Sequence, residues 1–107
     1  MTDADVLRAA DVLRAAADRL ERLAARTTAG DWRITGLLAS RPEVVAHRPD
    51  GGTEHVAEAR SASAAWITAL SPAVAAPLAA WLRVEAERGT PAPPALDVAR
   101  VLLARSA

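Results

Sequence analysis

His47 and His55 are the only imidazoles in the chain, and they flank a Pro-Asp-Gly-Gly turn sequence at Pro49–Gly52. If that turn closes a hairpin with residue 47 opposite 53, then 45 lies opposite 55 and both histidines share one face at a diagonal. Glu43 falls on the same face. Two imidazoles and a carboxylate are a donor set suited to a divalent transition metal. The same residues are equally ordinary on a hairpin face turned to water, and a one-residue slip in register would scatter them. The sequence favours the solvent-facing hairpin, so neither metal nor cofactor is expected. "RPDGG", Arg48 to Gly52, could cradle an anion in successive turn amides. Without a lysine or a strand–loop–helix setting it reads as a tight turn. Ser61, Ser63 and Ser71 have no histidine at a motif-like spacing and form no nucleophile elbow. With no Cys, Lys or Tyr, acid–base chemistry would rest on two histidines and 13 carboxylates. Nothing in that set argues for an enzyme.

Composition narrows the classes further. Of 107 residues 28 are alanine; Phe and Tyr are absent, and Trp32, Trp66 and Trp81 are the only aromatics. A core so poor in large side chains buries little area per residue, so its helices must approach closely or gain area from another chain. A homo-oligomer is therefore expected. Lys, Asn and Gln are missing as well. The missing Lys, Asn, Phe and Tyr share A/T-rich codons, so a GC-rich genome accounts for arginine serving as the only strong base. Thirteen arginines balance 13 acidic residues, which excludes the strongly basic class of nucleic-acid-binding domain. The absence of cysteine excludes disulfides and thiolate metal sites. The N-terminus has no apolar run of signal-peptide type. Ala62 to Leu82, alanine-rich with two internal prolines, is a poor membrane span. A cytoplasmic protein is expected.

The elements that must position these residues follow from periodicity. Val6, Ala10, Leu13, Ala17, Leu20 and Ala24 recur at 4-3-4-3-4 spacing, which predicts a helix over 3–28. Asp3 and Asp5 suit its N-terminal dipole and Arg26 its C-terminal end. Its two "ADVLRA" hexads do not match a helical period and read as a duplication. Gly30 is the expected stop. From Asp31 the period becomes two, with Gly36 a candidate bulge, and turns at "ASRP" and "RPDGG" divide 31–57 into a three-stranded antiparallel meander. Helices are predicted over 59–70, 72–88 and 94–105. Ser71 should cap the second and Pro72 start it, with a kink or a later true start at Pro77, whose ring cannot sit deeper in a helix. The fold class is α+β: a long N-terminal helix, the meander, then two or three C-terminal helices, in one domain of 107 residues. The first helix and the Trp66–Leu82 segment are the expected cover for one sheet face, with Trp32 packed beneath.

Two segments carry a family resemblance. "RTTAGDWRI" resembles an Ala-Thr-Pro-Gly-Pro-Trp signature. "SAAWITALSPAVAAPLAAWL" resembles a later signature, roughly Asp-Ala-x-Phe-Ile-Ala-Ala-Ala-Asn-Pro followed by a leucine-rich helix. In this order, with the closing "ALDVARVLLAR", they are similar to the Ead-type family of small proteins of tailed phages and prophages, actinobacterial members included. The likeness spans roughly residues 10–104, and Thr28, Gly30, Trp32, Trp66, Ile67, Ser71 and Pro72 fall on the motifs. It implies an accessory, non-structural product without catalytic residues.

The expectation is a non-catalytic interaction module that self-associates and binds a host or phage protein. Its candidate contact residues are Val6, Leu13, Leu20, Trp66 and Trp81. The alternative is a nucleic-acid-binding accessory protein using Arg33, Arg41, Arg48 and Arg60 around the sheet.

Overall fold

The helical periodicity at the N-terminus is realised, and a device the spacing alone did not reveal starts it. The computed structural model describes residues 2–36 and 41–105. Its element order is α1 (Asp3–Arg26), β1 (Asp31–Thr35), β2 (Glu43–His47), β3 (Thr53–Glu58), α2 (Ser61–Ala69), a 3-10 turn at Pro72–Val74, α3 (Ala75–Ala86) and α4 (Pro93–Ala104). This is the expected α+β fold. Thr2 caps α1 reciprocally with Asp5: the Asp5 amide donates to Thr2 Oγ1 at 3.2 Å, and the Thr2 hydroxyl and amide donate to the Asp5 carboxylate at 2.7 and 3.3 Å. Such a capping box satisfies amides that the first helical turn leaves open. The bond from the Thr2 hydroxyl, helped by the Thr2 amide and Arg8, holds the Asp5 carboxyl below the usual aspartate range.

Contacts along the chain gather into two compact units, Met1–Arg26 with Ala75–Ala107, and Thr27–Val74. In the first, α1 packs against both α3 and α4, whereas α3 and α4 scarcely touch each other. Of the 11 buried residues in its core, eight are alanine and the others are Leu13, Leu82 and Leu96. Methyl groups at the contact let helix axes approach at the short end of the usual 8–10 Å range. Leu96 lines a groove with Ala9 and Val12, and Arg19 donates to the Arg105 carbonyl, so α4 runs alongside α1 in the same direction. Arg83 of α3 reaches Asp18 at 2.8 Å and Glu21 at 2.9 Å, both on α1.

Glu85 is the one buried charged residue among those described, 5% exposed. Its Oε2 accepts the Ala92 amide at 2.8 Å and its Oε1 faces Arg88 at 3.3 Å. Ala92 is the N-cap of α4 and has no side chain able to cap. The carboxylate from α3 therefore ties down the loop and places negative charge at the start of α4, where the dipole favours it.

In the second unit the sheet order is β1-β2-β3, antiparallel throughout. Val44 and Ala46 are fully buried, with Ile34 and Trp32 opposite them on β1. Within this unit α2 packs on β1 and β2, its buried residue being Ala64. Trp32 donates its indole N–H to the Thr28 carbonyl at 3.0 Å, which satisfies its polar atom where the ring is half-buried.

Several boundaries differ from expectation for physical reasons. α1 ends at Arg26, two residues early, and the Thr28 carbonyl beyond it accepts the Trp32 indole N–H. Gly30 is then no helix stop. It has φ of 120°, and a Cβ there would lie 2.8 Å from the His47 carbonyl oxygen, so its task is close approach between β1 and β2. Gly36, at φ of 69°, follows the end of β1 and is not a bulge; the bulge lies in β3 at Val56. Leu37 and Leu38, expected to extend the first strand, and the turn residues Ala39 and Ser40 lie outside the described residues. Pro72 opens a 3-10 turn, with the Val74 amide on the Ser71 carbonyl at 2.9 Å, and α3 proper begins at Ala75. That start puts Pro77 in the first turn of α3, where a missing amide costs nothing. The sheet cover within its unit is α2, while α1 packs on α3 and α4. By length and composition the helical stretch Ser61–Ala86 is apolar enough to cross a membrane, mean hydropathy 1.5. It is broken at Leu70–Ser71, and its second half carries the ion-paired Arg83 and the buried Glu85.

Two tests follow. Glu85→Ala should cost about 2 kcal/mol, the scale of a buried hydrogen bond to a charged group, in chemical denaturation; the exposed neighbour substitution Glu87→Ala should change stability by less than about 0.5 kcal/mol. A lowered folded-state pKa makes the Asp5 contribution present above about pH 4 and lost as pH falls through the folded value. Thermal unfolding against pH should therefore show a wild-type advantage over Asp5→Asn that disappears in acid.

Candidate functional site

The outer face of the sheet carries the residues whose types suggested chemistry. The expected register is observed: His47 pairs with Thr53 and Val45 with His55. Beyond that the ladder shifts, Val44 pairing with Ala57, so Val56 is the extra residue of a β-bulge. His55 Nδ1 meets Glu43 Oε2 at 3.2 Å, with both side chains about half exposed. His47 does not join them; it sits opposite Asp31 on the other strand, and its Nε2 is buried without a hydrogen-bond partner. The set is an imidazole–carboxylate pair and a separate histidine, and no group of three metal-ligating side chains occurs among the described residues.

The turn after β2 closes on itself. The Gly51 amide donates to the Arg48 carbonyl at 3.0 Å, the Arg48 amide to the Gly52 carbonyl at 2.8 Å, and the Gly52 amide to Asp50 Oδ1 at 2.7 Å. Amides that would have held an anion are already bonded, so Arg48–Gly52 is a structural turn. Ser61 and Ser63 are exposed at the start of α2 and Ser71 lies in the following turn; among the described residues none bonds to a histidine.

The four sheet-region arginines are exposed. Arg33 is paired with Asp31 at 2.7 Å, Arg41 with Glu58 at 3.9 Å, and Arg48 with Glu54 at 3.3 Å. Arg41, Glu58 and Arg60 line one small depression of about 210 Å³. In this unit four arginines stand against five carboxylates, so positive charge is matched locally.

Burial divides the apolar candidates. Leu13 is fully buried, Leu20 packs against the same core and Val6 is half-buried. That stripe of α1 is used inside its own unit, which corrects the expectation that Leu13 and its neighbours offer a free contact face. The tryptophans behave differently. Trp66 is 68% exposed with Leu70, one turn on, 54% exposed; Trp81 is 39% exposed with Val84, three residues on, 59% exposed. Leu70 and Val84 were not singled out from the sequence. The available signal for Leu70 was that α2 carries no charge on any side, more uncharged surface than a single thin sheet covers. Val84 gave no signal of its own. Between α1 and α4 lies a shallow open groove of about 480 Å³, floored by Ala9, Val12 and Leu96 and rimmed by Arg8 and Arg100. Arg8 is held by Asp5 at 2.8 Å.

No protein-family model, curated protein or solved structure matches the chain. Among the described residues, the arrangement brings together one imidazole–carboxylate pair and no third metal-ligating side chain. What it offers is apolar surface on α2 and α3. In dilute protein, acrylamide should quench the Trp66 contribution strongly and the Trp32 contribution weakly. Trp66→Phe should remove the most accessible emission, and Trp32→Phe the protected component together with about 1 kcal/mol of stability from the lost indole bond.

Proposed function

We propose that this chain is a non-catalytic protein-interaction module that self-associates and binds a host or phage protein. One observation carries the reading: two of the three largest side chains lie exposed beside exposed aliphatic neighbours, in a chain whose core is mostly alanine. Large apolar side chains are the scarce resource for burial here, and placing two outside is costly unless a partner covers them. The resemblance to the Ead-type family supports a phage or prophage accessory role in the cytoplasm of a GC-rich, actinobacterial-type host. The bond between Trp32 and the Thr28 carbonyl gives two of the resembling positions a structural task.

The nucleic-acid reading has weaker support, because Arg33, Arg41 and Arg48 already face carboxylates. Binding to phosphate would have to displace those partners. The deciding experiment is capture from host lysate by tagged full-length chain, with and without nuclease, using wild type, Trp66→Glu and Trp81→Glu. A protein retained after nuclease by wild type and lost with either variant supports the interaction reading. Capture abolished by nuclease, with DNA binding that weakens as salt rises, would replace it with the nucleic-acid reading.

A further inference from the structure

We infer that α2 is the seat of self-association: the outward faces of two copies pack against each other about a two-fold axis. The inference rests on the self-association reading above and assigns it a face and a partner, a second copy of this chain. Ala62, Ala65, Trp66, Ala69 and Leu70 are all exposed on α2, and they share one side of the helix by their 3-4 spacing. Ala62, Ala65, Trp66 and Ala69 stand at i, i+3, i+4 and i+7, the four positions that frame a hole in helix–helix packing. Three of the four are alanine, low corners beside one large knob. A face that carries both a knob and a hole is complementary to itself, as a two-fold interface requires.

Charge selects the same occupant. From Ser61 to Leu82, 22 residues, there is no charged side chain. A partner presenting charge to this face would bury it unpaired, at a cost that few apolar contacts offset. A second α2 meets the face with no such penalty. The opposite side of α2 is already engaged through Ala64 and its packing on β1 and β2, so dimerisation would cover the open side of a helix that carries no charge. The area sets the strength. Exposed Trp66 and Leu70 with three alanines offer on the order of a few hundred Å² per copy, short of the roughly 800 Å² per partner of a stable interface. The dimer is weak and concentration-dependent.

Sedimentation of the full chain from micromolar to millimolar concentration tests this, with circular dichroism confirming that each variant is folded. The expected result is a mass rising towards twice the monomer for wild type and for Val84→Glu. Trp66→Glu and Ala65→Glu should each raise the dissociation constant at least tenfold. The chain has no cysteine, so Ala65→Cys should give a disulfide-linked dimer under mild oxidation where Val84→Cys does not. Association lost in Val84→Glu and kept in Trp66→Glu overturns the α2 assignment while leaving self-association standing. A wild-type monomer at millimolar concentration overturns both. Monomer that binds phosphatidylcholine vesicles, and stops doing so as Trp66→Glu, assigns the face to a lipid surface and also overturns the inference.

Discussion

The first unit depends on the close approach of α3 and α4 to α1 across alanine. Eight of its 11 core residues present only a methyl group, so little area is buried per residue and the contribution of each contact is small. Packing at interior density then requires the helices to come close, and a larger side chain at Ala16 or Ala99 would force them apart. Leu13 and Leu82, both fully buried, are the principal fillers. In such a core the polar devices at the helix ends carry a larger share of the specification. The Thr2–Asp5 box fixes where α1 begins, Glu85 fixes where α4 begins, and Arg83 bridges α3 to two carboxylates of α1. That last pairing is half exposed and contributes little stability; its value lies in choosing one rotational setting of α3 over another.

The second unit meets the same scarcity with a sheet. Among the described residues its inner face offers Val44, Ala46, Ile34, Trp32 and, opposite Val44 on β3, Ala57, and Trp32 is the single large ring among them. Half-burial with the indole bonded to Thr28 uses that ring for both packing and loop geometry. The outer face is a mosaic of Asp31, Arg33, Glu43, His47 and His55 in which opposite charges meet along and across strands. A self-neutralising face of this kind keeps a small sheet hydrated without a net field, and it gives an anionic or cationic partner little to hold.

Elements and their order were legible because their signals are local: 3.6 and 2.0 periodicities, Pro and Gly punctuation, and a turn whose register determines the hairpin. The His47–Thr53 and Val45–His55 pairings follow from that turn alone. The role of Gly30 was not legible because it is set by a contact between strands, the close approach of the His47 carbonyl. The candidate surface was misread on α1 because an apolar stripe shows that a face is buried without saying by what. Leu13 met α3 and α4 in its own chain, and no pattern in residues 3–28 could distinguish that from a partner. The bulge at Val56 had no signal either; it is a property of strand pairing and not of the residues themselves.

What periodicity cannot say, position can. A bias towards G/C-rich codons would account for arginine in place of lysine and for the absence of Phe and Tyr, but it does not choose where the remaining tryptophans stand. At 24% charged residues overall, a 22-residue uncharged run is a departure that a GC-rich genome does not explain, because Arg, Asp and Glu codons remain freely available. The run spans α2, the turn after it and α3 as far as Leu82, so it includes the helix whose inner side is covered by the sheet and whose outer side holds Trp66. Solubility alone would place arginine or glutamate at Ala62, Ala65 or Ala69, positions that face water and tolerate either. Their being alanine beside a tryptophan is what the proposed self-association asks of this face, since a second uncharged surface meets it with the least penalty.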